Sequence, residues 1–123
     1  NYKLAIVSNK NDNNVKSLNK IYFGMYIETA IGESDDVKRK PAPDMVYNAI
    51  NELSADIEKA VYIGDSEVDI MTAKNANIHC ISVTWGFRDK EFLKEHGAEH
   101  SIDEPCELLE FLGEEPVLKG ASI

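Results

Sequence analysis

Ala60-Val61-Tyr62-Ile63-Gly64-Asp65-Ser66-Glu67-Val68-Asp69 is the stretch on which the reading of this chain turns. Four apolar residues end abruptly in Gly-Asp, and a run of that length suits a strand buried on both faces of a parallel sheet. Gly64 permits a tight turn at the strand end. Beyond it, Asp69 to Asn75 is a run of small residues that predicts a helix packed close against the sheet. The order strand, acidic turn, helix is the unit from which open α/β sheets are built.

The same alternation continues on both sides. Upstream, Leu4-Ala5-Ile6-Val7 predicts a buried strand ending at Ser8-Asn9-Lys10. Asp12, Asn13 and Asn14 are good N-cap residues, and Val15, Leu18 and Tyr22 recur at helical spacing, with Gly24 as a stop. Tyr26 to Ile31 predicts a weaker strand closed by Gly32. A polar loop, residues 33–40, leads into Pro41-Ala42-Pro43-Asp44, where Pro43 suits the first helical position, and Val46, Ala49, Ile50 and Leu53 mark the helix face. Downstream, Cys80 to Thr84 predicts a strand and Trp85-Gly86-Phe87-Arg88 the loop after it. Phe92, Leu93 and His96 mark another helix, and Pro105 opens a last one carrying Leu108, Leu109, Phe111 and Leu112, before a tail from Gly113.

The composition fits one domain. The chain has 123 residues, 43% of them apolar and 28% charged, which excludes a disordered polymer. Thirteen basic against 22 acidic side chains leave a net charge of −9, an unfavourable balance for binding nucleic acid or an anionic membrane. No apolar run approaches the roughly 18 residues of a transmembrane helix. Cys80 and Cys106 lack metal-ligand spacing and read as reduced, buried thiols of a cytoplasmic protein. The chain opens on Asn1 without a signal-peptide pattern and enters a strand within a few residues, as a fragment or a processed product would.

In parallel α/β sheets ligands bind beyond the carboxyl ends of the strands. Here those ends carry Ser8, Asn9, Gly64 and Asp65. Ser8 and Asn9 suit either an oxyanion site or a polar turn. Lys40, set against a stiff Pro-Ala-Pro segment, is either a fixed positive charge for a phosphate or one of a solvated basic cluster with Lys38 and Arg39. Asp65 and Asp69 are either a carboxylate pair for Mg²⁺ or part of a helix start, with Asp65 or Ser66 as the N-cap and Glu67 and Asp69 favourable to the dipole. Arg88 lies either near an anionic ligand or in ordinary aromatic packing with Trp85 and Phe87. His79, His96 and His100 share no ligand spacing.

Taken in order, these stretches resemble the haloacid dehalogenase superfamily, and in detail its phosphoglycolate phosphatase group. The resemblance rests on Ala5-Ile6-Val7-Ser8-Asn9-Lys10, Lys40-Pro41-Ala42-Pro43-Asp44, Tyr62-Ile63-Gly64-Asp65-Ser66-Glu67-Val68-Asp69-Ile70 and Val83-Thr84-Trp85-Gly86-Phe87-Arg88, and runs from about Leu4 to Leu112. It implies a Rossmann-like three-layer α/β sandwich with a parallel sheet. It also implies a Mg²⁺-dependent phosphoric monoester hydrolase acting on a small phosphorylated metabolite. By that resemblance Ser8 holds the transferring phosphoryl group with the Asn9 backbone beside it. Lys40 offsets negative charge, Asp65 ligates Mg²⁺, and Asp69 binds the ion or orients its waters.

One departure matters. The family's nucleophile and its general acid/base form an Asp-x-Asp motif after a central first strand, and these 123 residues contain no Asp-x-Asp. The expectation is a single partial core domain over residues 1–123, lacking that strand and the cap domain, and inactive by itself. The strands of Ser8 and Asp65 would then leave a gap in the sheet or close on each other. Two other readings stand beside this one. The first is a non-catalytic interaction module or half of a split enzyme, self-associating through an exposed strand edge. The second is a receiver-type signalling domain, whose required order of acidic pair, phosphoacceptor and lysine does not match Ser8, Lys40 and Asp65.

Overall fold

The computed structural model describes residues 2–113. Five strands alternate with five helices: β1 (Ala5–Asn11), α1 (Asp12–Tyr22), β2 (Thr29–Glu33), α2 (Asp44–Leu53), β3 (Val61–Gly64), α3 (Glu67–Ala76), β4 (His79–Val83), α4 (Lys90–Glu95), β5 (Ser101–Ile102) and α5 (Glu107–Phe111). A 3₁₀ turn, Ile57–Lys59, precedes β3. All the strand pairs are parallel, as a chain that returns through a helix after each strand requires. The Rossmann-like α/β architecture implied by the sequence is present. The expected tail lies, from residue 114 on, outside the described residues.

The strands form two sheets, β1-β2 and β3-β4-β5. Of the two outcomes expected for Ser8's strand and Asp65's strand, the gap is the one found: β1 and β3 are edges with no ladder between them. The two halves are nevertheless joined through their helices. Val7 of β1 packs against a cluster of Val46 from α2, Tyr62 from β3, and Ala73 and Ala76 from α3, and also against Ile31, Met45 and Ala49. Ala73 and Ala76 are small enough for α3 to sit close to the sheet, and both are buried. Ile81, Val83 and Ile102 form a third cluster under α5 with Leu108.

Several local expectations are corrected. The sequence predicts β3 buried on both faces, but Val61 and Ile63 are 37% and 46% exposed, and Tyr62 is buried. The reason is its edge position: β4 flanks it on one side and successive side chains face opposite ways. In α1, Val15 is buried but Leu18 and Tyr22 face outward, because Asn19 takes the inner position and donates its Nδ2–H to Ile27 O. The cap of α1 is Asn11, whose side chain accepts the Asn13 N–H, rather than Asp12 to Asn14. β2 starts at Thr29 rather than Tyr26 and runs through Gly32, whose missing side chain admits the backbone of Lys10 and Asp12. Pro43 is the N-cap of α2, one position before its expected place. Cys106 is exposed rather than buried; both thiols are free. β5 carries no sequence signal, since two residues are too short for a periodic pattern.

Candidate active site

The carboxyl ends of β1 and β3 and the loop before α2 meet around Lys40. β1 loses regular register with β2 between Val7 and Asn11, and Ser8 and Asn9 lie in that irregular segment. Asn9 is committed to the Lys40 loop: its Nδ2–H donates to Lys40 O at 3.2 Å and its Oδ1 accepts the Lys40 N–H at 2.7 Å. A side-chain amide thus stands in for a strand partner and fixes the lysine backbone. Asn75 adds a second tie, donating to Pro41 O at 2.8 Å.

The Lys40 side chain runs inward and is only 14% exposed. Its ammonium donates to Asp69 Oδ1 at 2.8 Å and to Tyr62 OH at 3.2 Å. Tyr62 in turn donates its hydroxyl proton to the same Asp69 Oδ1 at 2.7 Å. Asp69 Oδ2 accepts the Asp65 N–H and the Ser66 hydroxyl, both at 3.1 Å. Two donors on each oxygen match the acceptor capacity of a carboxylate. Burial raises the Asp69 carboxyl, but the Lys40 contact and the hydrogen bonds from Tyr62 and Ser66 outweigh it and hold the group below the usual aspartate value. Burial, reinforced by the Asp69 charge, pushes the Tyr62 phenol up, so it remains a neutral donor.

Asp65 stands apart from this cluster although its backbone is part of it. Its Oδ2 accepts the Phe87 N–H at 3.0 Å, and no hydrogen bond engages Oδ1 among the described residues. Gly64 is required here, since a Cβ would lie 2.3 Å from Asp69 Cβ and 2.6 Å from its Oδ2. Ser66 is the N-cap of α3 but does not bond its backbone; the hydroxyl serves Asp69 instead. The capping reading of Asp65 and Ser66 is therefore replaced by a side-chain network. Arg88 pairs with Glu67 rather than standing open to a ligand.

The structure thus brings together Asn9, Lys40, Asp65 and Asp69. Ser8 lies on the same strand as Asn9, with its hydroxyl accepting the Lys10 N–H at 3.2 Å, and no hydrogen bond links it to Lys40 or Asp65 among the described residues. Lys40 is therefore not part of a solvated basic cluster, whereas Arg39 lies on the surface at 3.9 Å from Glu33. Sequence reasoning missed Tyr62. The available signal was a hydroxyl two residues before Gly64, on the strand face opposite its apolar neighbours Val61 and Ile63.

A largely buried lysine, oriented by a saturated carboxylate at the carboxyl ends of parallel strands, stands beside a second carboxylate with a free oxygen, in an α/β protein whose strand ends are where such folds bind ligands. The chain belongs to the haloacid dehalogenase-like hydrolase family, which it matches over residues 1–83. It is 32% identical over 109 residues to the phosphoglycolate phosphatase of Colwellia psychrerythraea, covering 88% of this chain and 48% of that protein. It is 30% identical over 114 residues to the pyrophosphatase PpaX of Bacillus velezensis, covering 91% and 52%. A crystal structure from Lactobacillus delbrueckii subsp. bulgaricus, provisionally assigned as a phosphoglycolate phosphatase, superposes with a TM-score of 0.86 at 44% identity, over 89% of this chain and 46% of that one. The chain spans about half the length of the curated relatives it matches. No helix among the described residues is long and apolar enough to cross a membrane.

Proposed function

We propose that this chain carries the phosphate- and cation-handling half of a Mg²⁺-dependent phosphatase of small phosphate monoesters, similar to phosphoglycolate phosphatase. The observation that supports this most directly is the fixed ammonium of Lys40. Its backbone is clamped by Asn9 and its charge is aimed by Asp69 and Tyr62. Phosphoryl transfer depends on positioning and charge stabilisation, and a preset cation in a partly dry site supplies both without reorganising.

The roles divide by residue. Lys40 offsets charge on the phosphoryl oxygens. Ser8 offers a hydroxyl and the Asn9 backbone an N–H, while the Asn9 side chain holds the lysine loop. Asp65 presents Oδ1 to the metal. Asp69, with all four acceptor positions occupied, orients Lys40 and the Gly64-Asp65 turn rather than ligating. The donor set fits Mg²⁺ in part. One carboxylate oxygen is a suitable hard ligand for an ion that keeps several waters, and the described residues hold no group of three His, Cys, Asp or Glu able to cage a metal. When bound there, Mg²⁺ would supply charge stabilisation at the phosphate oxygens.

The 123 residues hold no Asp-x-Asp, so the chain by itself lacks the nucleophile this chemistry uses and is inactive in isolation. The unpaired edges of β1 and β3, with Val61 and Ile63 exposed beside them, support association through strand addition, either with another copy or with a completing segment. The cellular site proposed is the cytoplasm, with free thiols at Cys80 and Cys106. The test is a Mg²⁺-dependent phosphatase assay with 2-phosphoglycolate, pyrophosphate and a chromogenic aryl phosphate, on a sample of verified intact mass. No turnover is expected from this chain. Mg²⁺-dependent turnover at that mass, abolished by Asp65→Asn, would show that a carboxylate within these residues serves as nucleophile and would overturn the reading that the chain is inactive by itself.

A further inference from the structure

The loop after β4 lies directly on Asp65. A Cβ at Gly86 would fall 2.4 Å from Asp65 Oδ2 and 2.8 Å from its Cγ, so only glycine allows the backbone this close. The next residue donates its N–H to the same Oδ2. The loop has little apolar anchorage of its own: Trp85 and Phe87 are 51% and 70% exposed. What holds it is Arg88. Its Nε–H donates to Glu67 Oε2 at 3.1 Å and an Nη2–H to Oε1 at 3.0 Å, a bidentate fork across to the first turn of α3. The guanidinium also lies 4.6 Å from the centre of the Phe87 ring and 4.2 Å from that of Phe92, between the loop and α4.

We infer that Arg88 is a positioning residue for Asp65. By tying residues 85–88 to Glu67, it keeps the Phe87 N–H on Oδ2 and so leaves Oδ1 as the oxygen available to a divalent cation. Without the fork the loop has no polar tie to α3, the Phe87 hydrogen bond opens, and the Asp65 carboxylate rotates between orientations. This rests on the reading of Asp65 as a cation ligand. Lysine cannot replace arginine here, because an ammonium cannot form the bidentate fork to Glu67.

The experiment uses the 123-residue chain, its Arg88→Lys and Glu67→Gln variants, and Asp65→Asn, with circular dichroism confirming that each is folded. Two quantities are read: amide hydrogen exchange at Phe87 by NMR, and Mn²⁺ binding followed by paramagnetic broadening of the 64–69 amides. Both variants are expected to exchange the Phe87 amide about tenfold or more faster. They are expected to bind Mn²⁺ about tenfold to a hundredfold more weakly, the range found when a group orienting a metal ligand is removed. Unchanged exchange and affinity in folded Arg88→Lys would overturn the inference. If the parent chain shows no Mn²⁺ binding that Asp65→Asn abolishes, the cation reading of Asp65 fails. The exchange data then decide the positioning role separately: faster exchange in Arg88→Lys upholds it, and unchanged exchange removes it.

Discussion

Replacing Asp69 with asparagine removes the charge from the least exposed ion pair among the described residues, that of Lys40 with Asp69. The substitution keeps the shape and removes the charge. Lys40, 14% exposed, then faces a neutral group, and the amide NH₂ that replaces one oxygen points at donors, either Lys40 and Tyr62 or the Asp65 N–H and Ser66. Removing one partner of a buried pair costs about 3–5 kcal/mol, and the retained amide oxygen puts Asp69→Asn near the lower figure. A loss of about 3 kcal/mol is a large share of the stability of a domain this size and corresponds to a melting temperature lower by roughly 10–20 °C. The sign of the pH dependence follows from the folded carboxyl lying below its ordinary value of 3.8. Such a group stabilises the fold fully above the unfolded pKa of about 3.9 and loses that contribution as pH falls through the folded value. Urea unfolding of both proteins from pH 7 down to pH 3 should show a full gap in midpoint at pH 7 and 5 that narrows below about pH 4. Equal midpoints at pH 7, or a gap that does not change with pH, would refute the argument that the Asp69 charge organises Lys40.

Asn9→Ala removes both hydrogen bonds to the Lys40 backbone and should destabilise by about 2 kcal/mol in chemical denaturation, with the Lys40 amide losing exchange protection. Tyr62→Phe deletes one donor to Asp69 while keeping the ring in its cluster, so a smaller loss of about 1 kcal/mol is expected in the same assay. Gly32→Ala forces a Cβ within 2.5 Å of Lys10 O and 2.6 Å of Asp12 Cα, both backbone atoms, and should cost about 1–3 kcal/mol or prevent folding. Thiol alkylation followed by mass spectrometry at pH 8 should label the exposed Cys106 first. Cys80 should react far more slowly, because burial pushes its thiol up to about 11 and leaves little thiolate.

Much of this protein is legible in the order of its residues. Alternating apolar runs and helical spacings placed five helices and four of the five strands, because periodicity is a local property of the chain. Position at strand ends, before Pro-Ala-Pro or at a helix start marked Ser8, Asn9, Lys40, Asp65 and Asp69 as candidates with structural alternatives, and it was the resemblance of the ordered motifs to the haloacid dehalogenase superfamily that implied a role for each. What those side chains do to one another was decided in three dimensions. Asp69 reads equally as a cation ligand or as a charge favourable to the helix dipole along the chain, and only the meeting of Lys40, Tyr62, Ser66 and Asp65 around it fills all of its acceptor positions. Asn9 reads either as an oxyanion-site residue or as part of a polar turn, and only the folded chain shows its side-chain amide bonded to a backbone 31 positions away. The exposure of Val61 and Ile63 was likewise invisible, because burial depends on what lies beside a strand, and β3 is an edge. The sequence by itself determined which residues form strands and helices and which carry charge at the strand ends. The tertiary structure alone decided how hydrogen-bonding capacity is shared among them, because that sharing is settled by distances of about 3 Å between residues far apart in the chain.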